Sequence, residues 1–172
     1  MYYTADYISP LGKMLMAADD TGLCGLWFYD QRFFPADRTW AKDEKKVAPI
    51  LNETRKWLDL YFSGQKPDLS LPLHPTGTAF QSAVWQILLT IPYGETITYG
   101  EIARQLAKKR GIPSLSAQAV GGAVGKNPVS IIIPCHRVVG IGGSLTGYAG
   151  GIDRKIWLLK REGAWRETFF AP

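Results

Sequence analysis

The chain is poor in the residues that build covalent or metal frameworks. Among 172 residues there are two cysteines, Cys24 and Cys135, and two histidines, His74 and His136. A secreted disulfide scaffold needs far more cysteine. Four such residues scattered along the chain also have no zinc-like spacing, so no metal and no cofactor is expected. No apolar run approaches the roughly 20 residues that cross a bilayer, and Met1-Tyr2-Tyr3-Thr4-Ala5-Asp6 lacks the basic start of a signal peptide. No membrane partner is therefore expected. Retention in the cytoplasm is, and reducing conditions there keep both thiols free. Acidic residues are scarce in one half only. Residues 1–75 hold nine Lys and Arg against ten Asp and Glu, whereas residues 76–172 hold eleven against five. That basic excess suits either a polyanion partner or a plain solvated face. What remains, 46% hydrophobic and 20% charged, is the composition of a globular protein of one ordinary domain or two small ones.

The first half reads as a small sheet with a helix laid on it. Residues 2–9 and 13–18 have strand character on either side of Pro10-Leu11-Gly12. Asp19-Asp20-Thr21-Gly22 is a hairpin turn into a third strand, Leu23 to Phe28. Cys24 lies inside that strand as a core residue. Residues 30–42 show no period and read as a loop. From Val47 to Phe62 apolar residues recur at helical spacing. Residues 65–77, with three prolines, form a connector with room for one short strand, and His74 within it is incidental.

The second half, residues 76–172, reads as mostly helical. Thr78-Ala79-Phe80-Gln81 has the form of a capping box before a helix through Ile91, and Thr98-Tyr99-Gly100-Glu101 is a second such start. Ser116 to Gly125 makes a third, short helix. Two short helices joined by a tight turn fit a helix-turn-helix. The second of them is rich in small residues, including Ala119 and Gly121, with Gln118 and Lys126 as polar groups. Small residues allow close approach to a nucleic-acid backbone, and equally allow close helix–helix packing. After a glycine-rich loop carrying Tyr148, Asp153 is expected to cap a last helix. Its final turn holds Glu162, a carboxylate opposed to the helix dipole unless partnered, and His136 is the expected partner.

Between these helices lies Val129-Ser130-Ile131-Ile132-Ile133-Pro134-Cys135-His136-Arg137. The β-branched run predicts a buried strand that ends at Pro134, which has no N–H to donate. It delivers Cys135 and His136 at a sharp exit from the core. A thiol beside an imidazole can serve as a sulfur nucleophile. A buried cysteine packing as a small hydrophobe is the other reading.

Asn127-Pro128, Pro134-Cys135-His136-Arg137-Val138, Gly147-Tyr148 and Glu162-Gly163 occur in the order and spacing of the O6-alkylguanine-DNA alkyltransferases, and from about Thr78 to Gly163 the chain resembles that family. The resemblance implies an α+β (mixed α/β) fold. A structural sheet-and-helix domain (1–75) would precede a domain (76–172) with a helix-turn-helix and an active-site cysteine turn. It implies repair of double-stranded DNA by a monomer that flips out O6-alkylguanine, with O4-alkylthymine as a second candidate lesion. The alkyl group would move irreversibly to Cys135. His136 would take the thiol proton through a bound water and Glu162 would orient the imidazole. Tyr99, Val138, Tyr148 and Ala149 would line the base pocket, and Asn127 would brace the turn. Gln118, Ala119, Gly121 and Lys126 would meet DNA. Some members carry a structural zinc in the N-terminal part, whose ligands this sequence lacks. One departure from the family pattern stands out, since Gln118 replaces the arginine that fills the gap left by the flipped base. Two rival classes are a cysteine hydrolase and a non-enzymatic DNA-binding sensor. Sequence-adjacent Cys and His point poorly at one another in protease-like sites, and in the sensors the cysteine is replaced.

Overall fold

The computed structural model describes residues 2–36 and 49–172. Val47 and the end of the expected 30–42 loop lie outside that range. The chain divides into two compact units, Met1–Thr76 with Pro128–Ile132, and Gly77–Asn127 with Ile133–Pro172. The architecture is α+β, as the sequence predicts.

In the first unit β1 (Tyr3–Ser9), β2 (Gly12–Ala18) and β3 (Leu23–Phe28) form an antiparallel sheet in that order. Its register pairs Ser9 with Gly12 and Met14 with Phe28. Strand β3 is buried throughout and β2 nearly so, because both faces are covered. On one face Leu15, Ala17 and Trp27 pack with Phe34. Gly25 admits the Trp27 ring, since a Cβ there would lie 1.7 Å from it. Helix α1 (Pro49–Phe62) packs on the sheet and buries Leu51, Thr54, Leu58 and Tyr61, one stripe at helical spacing. The Tyr7 hydroxyl ties sheet to helix by donating to Asp59 (2.8 Å).

The run expected as a strand is mostly a turn. Only Val129 bridges, in parallel, to Leu26. The Leu26 N–H donates to the Pro128 carbonyl (2.8 Å) and the Ser130 N–H to the Leu26 carbonyl (2.9 Å). Gln31 secures the segment, accepting from the Phe28 N–H and the Ser130 hydroxyl. Ile131 then turns the chain at φ 69°, and the Ile132 N–H donates back to the Ser130 carbonyl (2.8 Å). That is a γ-turn in the left-handed region, uncommon for any side chain and an outlier for a β-branched one. Such a conformation costs about 1–3 kcal/mol and persists only when its surroundings impose it. Here the imposing contacts are the β3 pairing and Gln31. β-Branched residues buried on all sides look alike in a strand and in a buried turn.

In the second unit α2 (Ala79–Leu88) starts at a reciprocal capping box between Thr78 and Gln81. Helix α3 (Tyr99–Arg110) is capped by Thr98 and closed by Gly111 at φ 66°. Helix α4 (Ala117–Gly125) is capped by Ser116. Helices α3 and α4 pack as the expected helix-turn-helix, and α2 is bound to α4 by the Trp85 indole N–H on the Ala123 carbonyl (2.9 Å). Two residues of β4 (Ile97–Thr98) run parallel to two of β5 (Val138–Val139). That pairing sets the start of α3 beside the residues that follow Cys135. Helix α5 (Ile152–Arg161) begins at Gly151 without a side-chain cap; Asp153 sits one residue inside, where its charge still favours the helix N-terminus.

Candidate active site and nucleic-acid face

Cys135 follows a second tight turn and stays buried. Its N–H donates to the Ile133 carbonyl (2.8 Å) across Pro134, whose φ −82° and ψ 63° are those of an inverse γ-turn. The buried Asn127 amide donates to the same carbonyl (2.8 Å) and so braces the turn from the end of α4. Cys135, His136 and Arg137 then form a single 3-10 turn before β5. Burial pushes the Cys135 thiol up. The Asn127 side chain, the Lys155 ammonium and the N–H groups of Cys135 and His136 pull against it.

His136 is fully buried, and its Nε2 lies 2.7 Å from Glu162 Oε1. Arg137 grips the same carboxylate through Nε (2.7 Å) and Nη2 (3.0 Å), with Nη1 on the Ile91 carbonyl (2.6 Å). Burial pushes the Glu162 carboxyl up, but the His136 ring and the Arg137 guanidinium outweigh it and hold it well below the usual carboxylate range. Burial pulls the imidazole down, Glu162 opposes this, and Arg137 and Lys155 reinforce it. The balance favours the neutral ring. A neutral imidazole has one N–H and an ionised carboxylate only accepts, so the network assigns the proton to Nε2 and the lone pair to Nδ1. Nδ1 is buried and has no hydrogen-bond partner among the described residues.

Lys155 carries a charge that the sequence reading missed. It is wholly buried, with Nζ donating to the Val138 carbonyl (2.5 Å) and the Thr146 carbonyl (3.1 Å). Burial lowers its pKa to about 8 against the attraction of Cys135. Its signal in the sequence is a lysine at an inward position of α5, flanked by Ile152, Ile156 and Leu159. Arg137 was visible in the same motif as His136 but received no role.

The expected pocket residues divide. Tyr99 lines a cleft of about 400 Å³ between α3, α4 and the glycine-rich loop, together with Gln118, Gly121, Ile141, Thr146 and Gly147. Its hydroxyl donates to the Thr146 carbonyl (2.9 Å), and burial and Cys135 push its pKa up to about 12. A Cβ on Gly147 would lie 2.6 Å from that hydroxyl, so glycine is required there. Val138 and Tyr148 are buried and Ala149 half-buried, and none of the three lines the cleft. The Tyr148 ring stands edge-on to His136 at 6.5 Å, and its hydroxyl is buried without a hydrogen-bond partner among the described residues.

Among the α4 residues expected to meet DNA, Gln118, Ala119 and Lys126 are exposed and Gly121 half-buried. The α4 glycines are not packing residues. Among the described residues a Cβ at Gly122 would meet nothing within 4 Å, and at Gly121 or Gly125 it would make ordinary contact at 3.7 and 3.9 Å. Each glycine costs a helix roughly 0.8–1 kcal/mol relative to alanine, with no return inside the protein. That favours close approach of an outside molecule. A second groove adjoins the cleft, sharing Gly100 and Ala117 with it and lined by Arg104 and Lys108.

His74, incidental by its place in the sequence, has partners in the first unit. The fold brings Asp19, Cys24 and His74 together with ligand atoms within 4.8 Å of one another, His74 Nδ1 lying 2.6 Å from Asp19 Oδ2. The 55 residues between Asp19 and His74 hide this contact from any local motif.

Comparison with known proteins matches two segments of the chain. Residues 79–164 match the DNA-binding domain of 6-O-methylguanine DNA methyltransferase, and residues 1–75 match its ribonuclease-like domain. A methylated-DNA–protein-cysteine methyltransferase of Mycobacterium leprae is 44% identical over 154 residues, covering 90% of this chain and 88% of that protein. One from Methanosarcina acetivorans is 42% identical over 95% of this chain and 99% of its own. The crystal structure of Mycobacterium tuberculosis O6-methylguanine methyltransferase superimposes with a TM-score of 0.80 at 41% identity, over 95% of this chain and 94% of that one. That of the Mycobacterium tuberculosis protein in complex with DNA superimposes at 0.78 and 42%, over 95% and 92%. With a buried cysteine turn beside a partnered imidazole, and both halves matched, the chain belongs to the 6-O-methylguanine DNA methyltransferase family.

Proposed function

We propose that this protein repairs duplex DNA by moving the alkyl group of O6-alkylguanine onto Cys135, once per molecule. The observation that carries the reading is the buried His136, next in sequence to Cys135, with Nε2 2.7 Å from Glu162 and Nδ1 without a hydrogen-bond partner among the described residues. In the transfer step the sulfur–carbon bond forms as the carbon–O6 bond breaks, and the electron pair of the broken bond goes to O6. The thiol proton passes to Nδ1 of His136, through a bridging water, and Glu162 stabilises the resulting imidazolium. Arg137 holds Glu162 in place and Lys155 favours the thiolate. Tyr99 exchanges its bond to the Thr146 carbonyl for one to the leaving guanine, with Val138, Tyr148 and Ala149 shaping the base site. The product is a thioether, which has neither an activated carbonyl nor a good leaving group, so the cysteine is not regenerated.

A base in duplex DNA must leave the stack to reach such a thiol. The exposed face of α4, with Gln118, Ala119, Gly121 and Lys126, supplies the contact to DNA, and Gln118 fills the gap left by the extruded nucleotide. Asn127 fixes the turn at the end of that helix. The first unit acts structurally, and its sheet and Gln31 hold the five residues that run up to the cysteine turn. The protein works as a monomer in the cytoplasm. Incubation with a duplex containing one O6-methylguanine should add a single methyl group by intact mass, mapped to Cys135. An unmodified protein, or a methyl group mapped to Cys24, overturns the assignment.

A further inference from the structure

Ile141 is 91% exposed. A lone apolar side chain at a surface is common, but three features set this one apart. It stands on a fixed support: the Gly140 N–H donates to the Ser144 carbonyl (2.7 Å) and the Gly143 N–H to the Gly140 carbonyl (3.1 Å). The Phe170 N–H donates to the Gly143 carbonyl and the Leu145 N–H to the Phe170 carbonyl, so the C-terminal segment anchors the turn. Gly143 is closed in, because a Cβ there would lie 2.8 Å from the Thr168 carbonyl. Second, Ile141 belongs to the loop wall of the cleft that holds Tyr99, while Gln118 belongs to the helix wall. Third, the adjoining groove offers Arg104 and Lys108, cations placed for the phosphates of whatever covers the cleft.

We propose that Ile141 is an apolar wedge that enters the base stack of duplex DNA, across the extruded nucleotide from Gln118. The inference rests on the alkyl-transfer reading above. Proteins that kink a duplex frequently wedge apolar side chains between base steps, where they cover base faces that extrusion would otherwise leave to water. Gln118 fills the gap with a short uncharged side chain that lacks a broad stacking surface. Ile141 supplies apolar surface on the other side, and preorganisation of its turn spares the cost of ordering a loop on binding.

The test compares two substrates of the full-length protein, a duplex with one O6-methylguanine and the free base O6-benzylguanine, using transfer rates from intact mass. Ile141→Ser should lower the ratio of duplex rate to free-base rate by about tenfold, the scale of partly burying one aliphatic side chain. Ile141→Leu, which keeps the apolar surface, should restore the ratio. A 2-aminopurine placed beside the lesion should brighten on binding the native protein and less so with Ile141→Ser. An Ile141→Ser ratio within twofold of native overturns the wedge while alkyl transfer itself stands. Equal losses on both substrates do the same, since they report a deformed site. If the native protein takes an alkyl group from neither substrate, the transfer reading falls and the wedge falls with it.

Discussion

Cys24 and Cys135 are equally buried, at 5% and 6% exposure, and each has a histidine and a carboxylate close by. The order of the three groups differs. Around Cys24 the carboxylate is in the middle: Asp19 Oδ2 lies 2.6 Å from His74 Nδ1, the three groups have ligand atoms within 4.8 Å of one another, and the thiol donates to the Gly22 carbonyl (3.5 Å). A thiol beside an ionised carboxylate is held as a thiol, because its anion would face a second negative charge. Around Cys135 the carboxylate is bonded to Nε2 of the imidazole, and the groups that pull the thiol toward its anion are an amide, two N–H groups and the Lys155 ammonium. Each of these favours the anion. Burial and residue type do not distinguish the two cysteines, but the position of the negative charge does.

The sharpest way to break that comparison is to exchange the thiols. Cys135→Ala should abolish methyl transfer completely while retaining binding to the damaged duplex, and Cys24→Ala should still take one methyl per molecule. Peptide mapping decides it, and methyl on Cys24 of the native protein would show that charge order does not control reactivity. The next largest effect concerns the relay. His136→Ala and Glu162→Gln should each slow transfer by roughly 10²–10⁴, as expected for loss of a general base. The double variant should be no slower than the slower single variant, because the two act as one unit. Additive losses would mean that Glu162 acts apart from the imidazole.

Much of this arrangement is legible in the sequence, and the exceptions share a cause. The hairpin at Asp19–Gly22, the capping box at Thr78 and the end of α3 at Gly111 are local patterns, and local patterns survive folding. The Glu162–His136 contact was also legible, because an acid at a helix C-terminus calls for a partner. The turn at Ile131 was not. Its β-branched neighbours favour a strand, and tertiary contacts from β3 and Gln31 override them. The Asp19–Cys24–His74 cluster and the Lys155 site depend on long-range contacts, and the α4 glycines could not be read as an outward face until the space around each was known.

Lys155 is the cation on the reactive side of the comparison, and its titration sharpens the contrast by a smaller amount. Its pKa falls from 10.5 to about 8 on folding because burial disfavours the ammonium. Between those values the folded protein binds fewer protons than the unfolded chain, so this group makes stability rise as pH increases through that window. The full change is about 3 kcal/mol. Denaturant unfolding of the native protein and of Lys155→Met at pH 7.5 and pH 10 should therefore show the difference between them moving in favour of the native protein at the higher pH. A difference that stays constant with pH would place the ammonium in water. Transfer by the native protein should also weaken above about pH 8, as the charge that favours the thiolate is lost, whereas Lys155→Met should lack that decline.

The smallest expected effect lies on the unreactive side. Burial pushes the Asp19 carboxyl up, but the Gly22 and Thr21 N–H groups, His74 and the Cys24 thiol together hold it at about 2, below the ordinary 3.8. A carboxyl whose pKa is depressed by folding contributes stability above the unfolded value, and loses it as pH falls through 3.8 towards 2. That contribution is about 1–2 kcal/mol, reduced by the partial exposure of both Asp19 and His74. Asp19→Asn should accordingly lower stability by that amount at pH 7, with the gap to the native protein closing near pH 2. Transfer to Cys135 should proceed at the native rate, because nothing in the relay touches Asp19. The neutral amide also removes the negative charge that suppresses the Cys24 thiolate. A thiol-reactive probe should then label Cys24 faster in Asp19→Asn than in the native protein, with the variant kept folded at pH 7. Unchanged labelling would mean that burial alone silences Cys24, and charge order would lose half of its support.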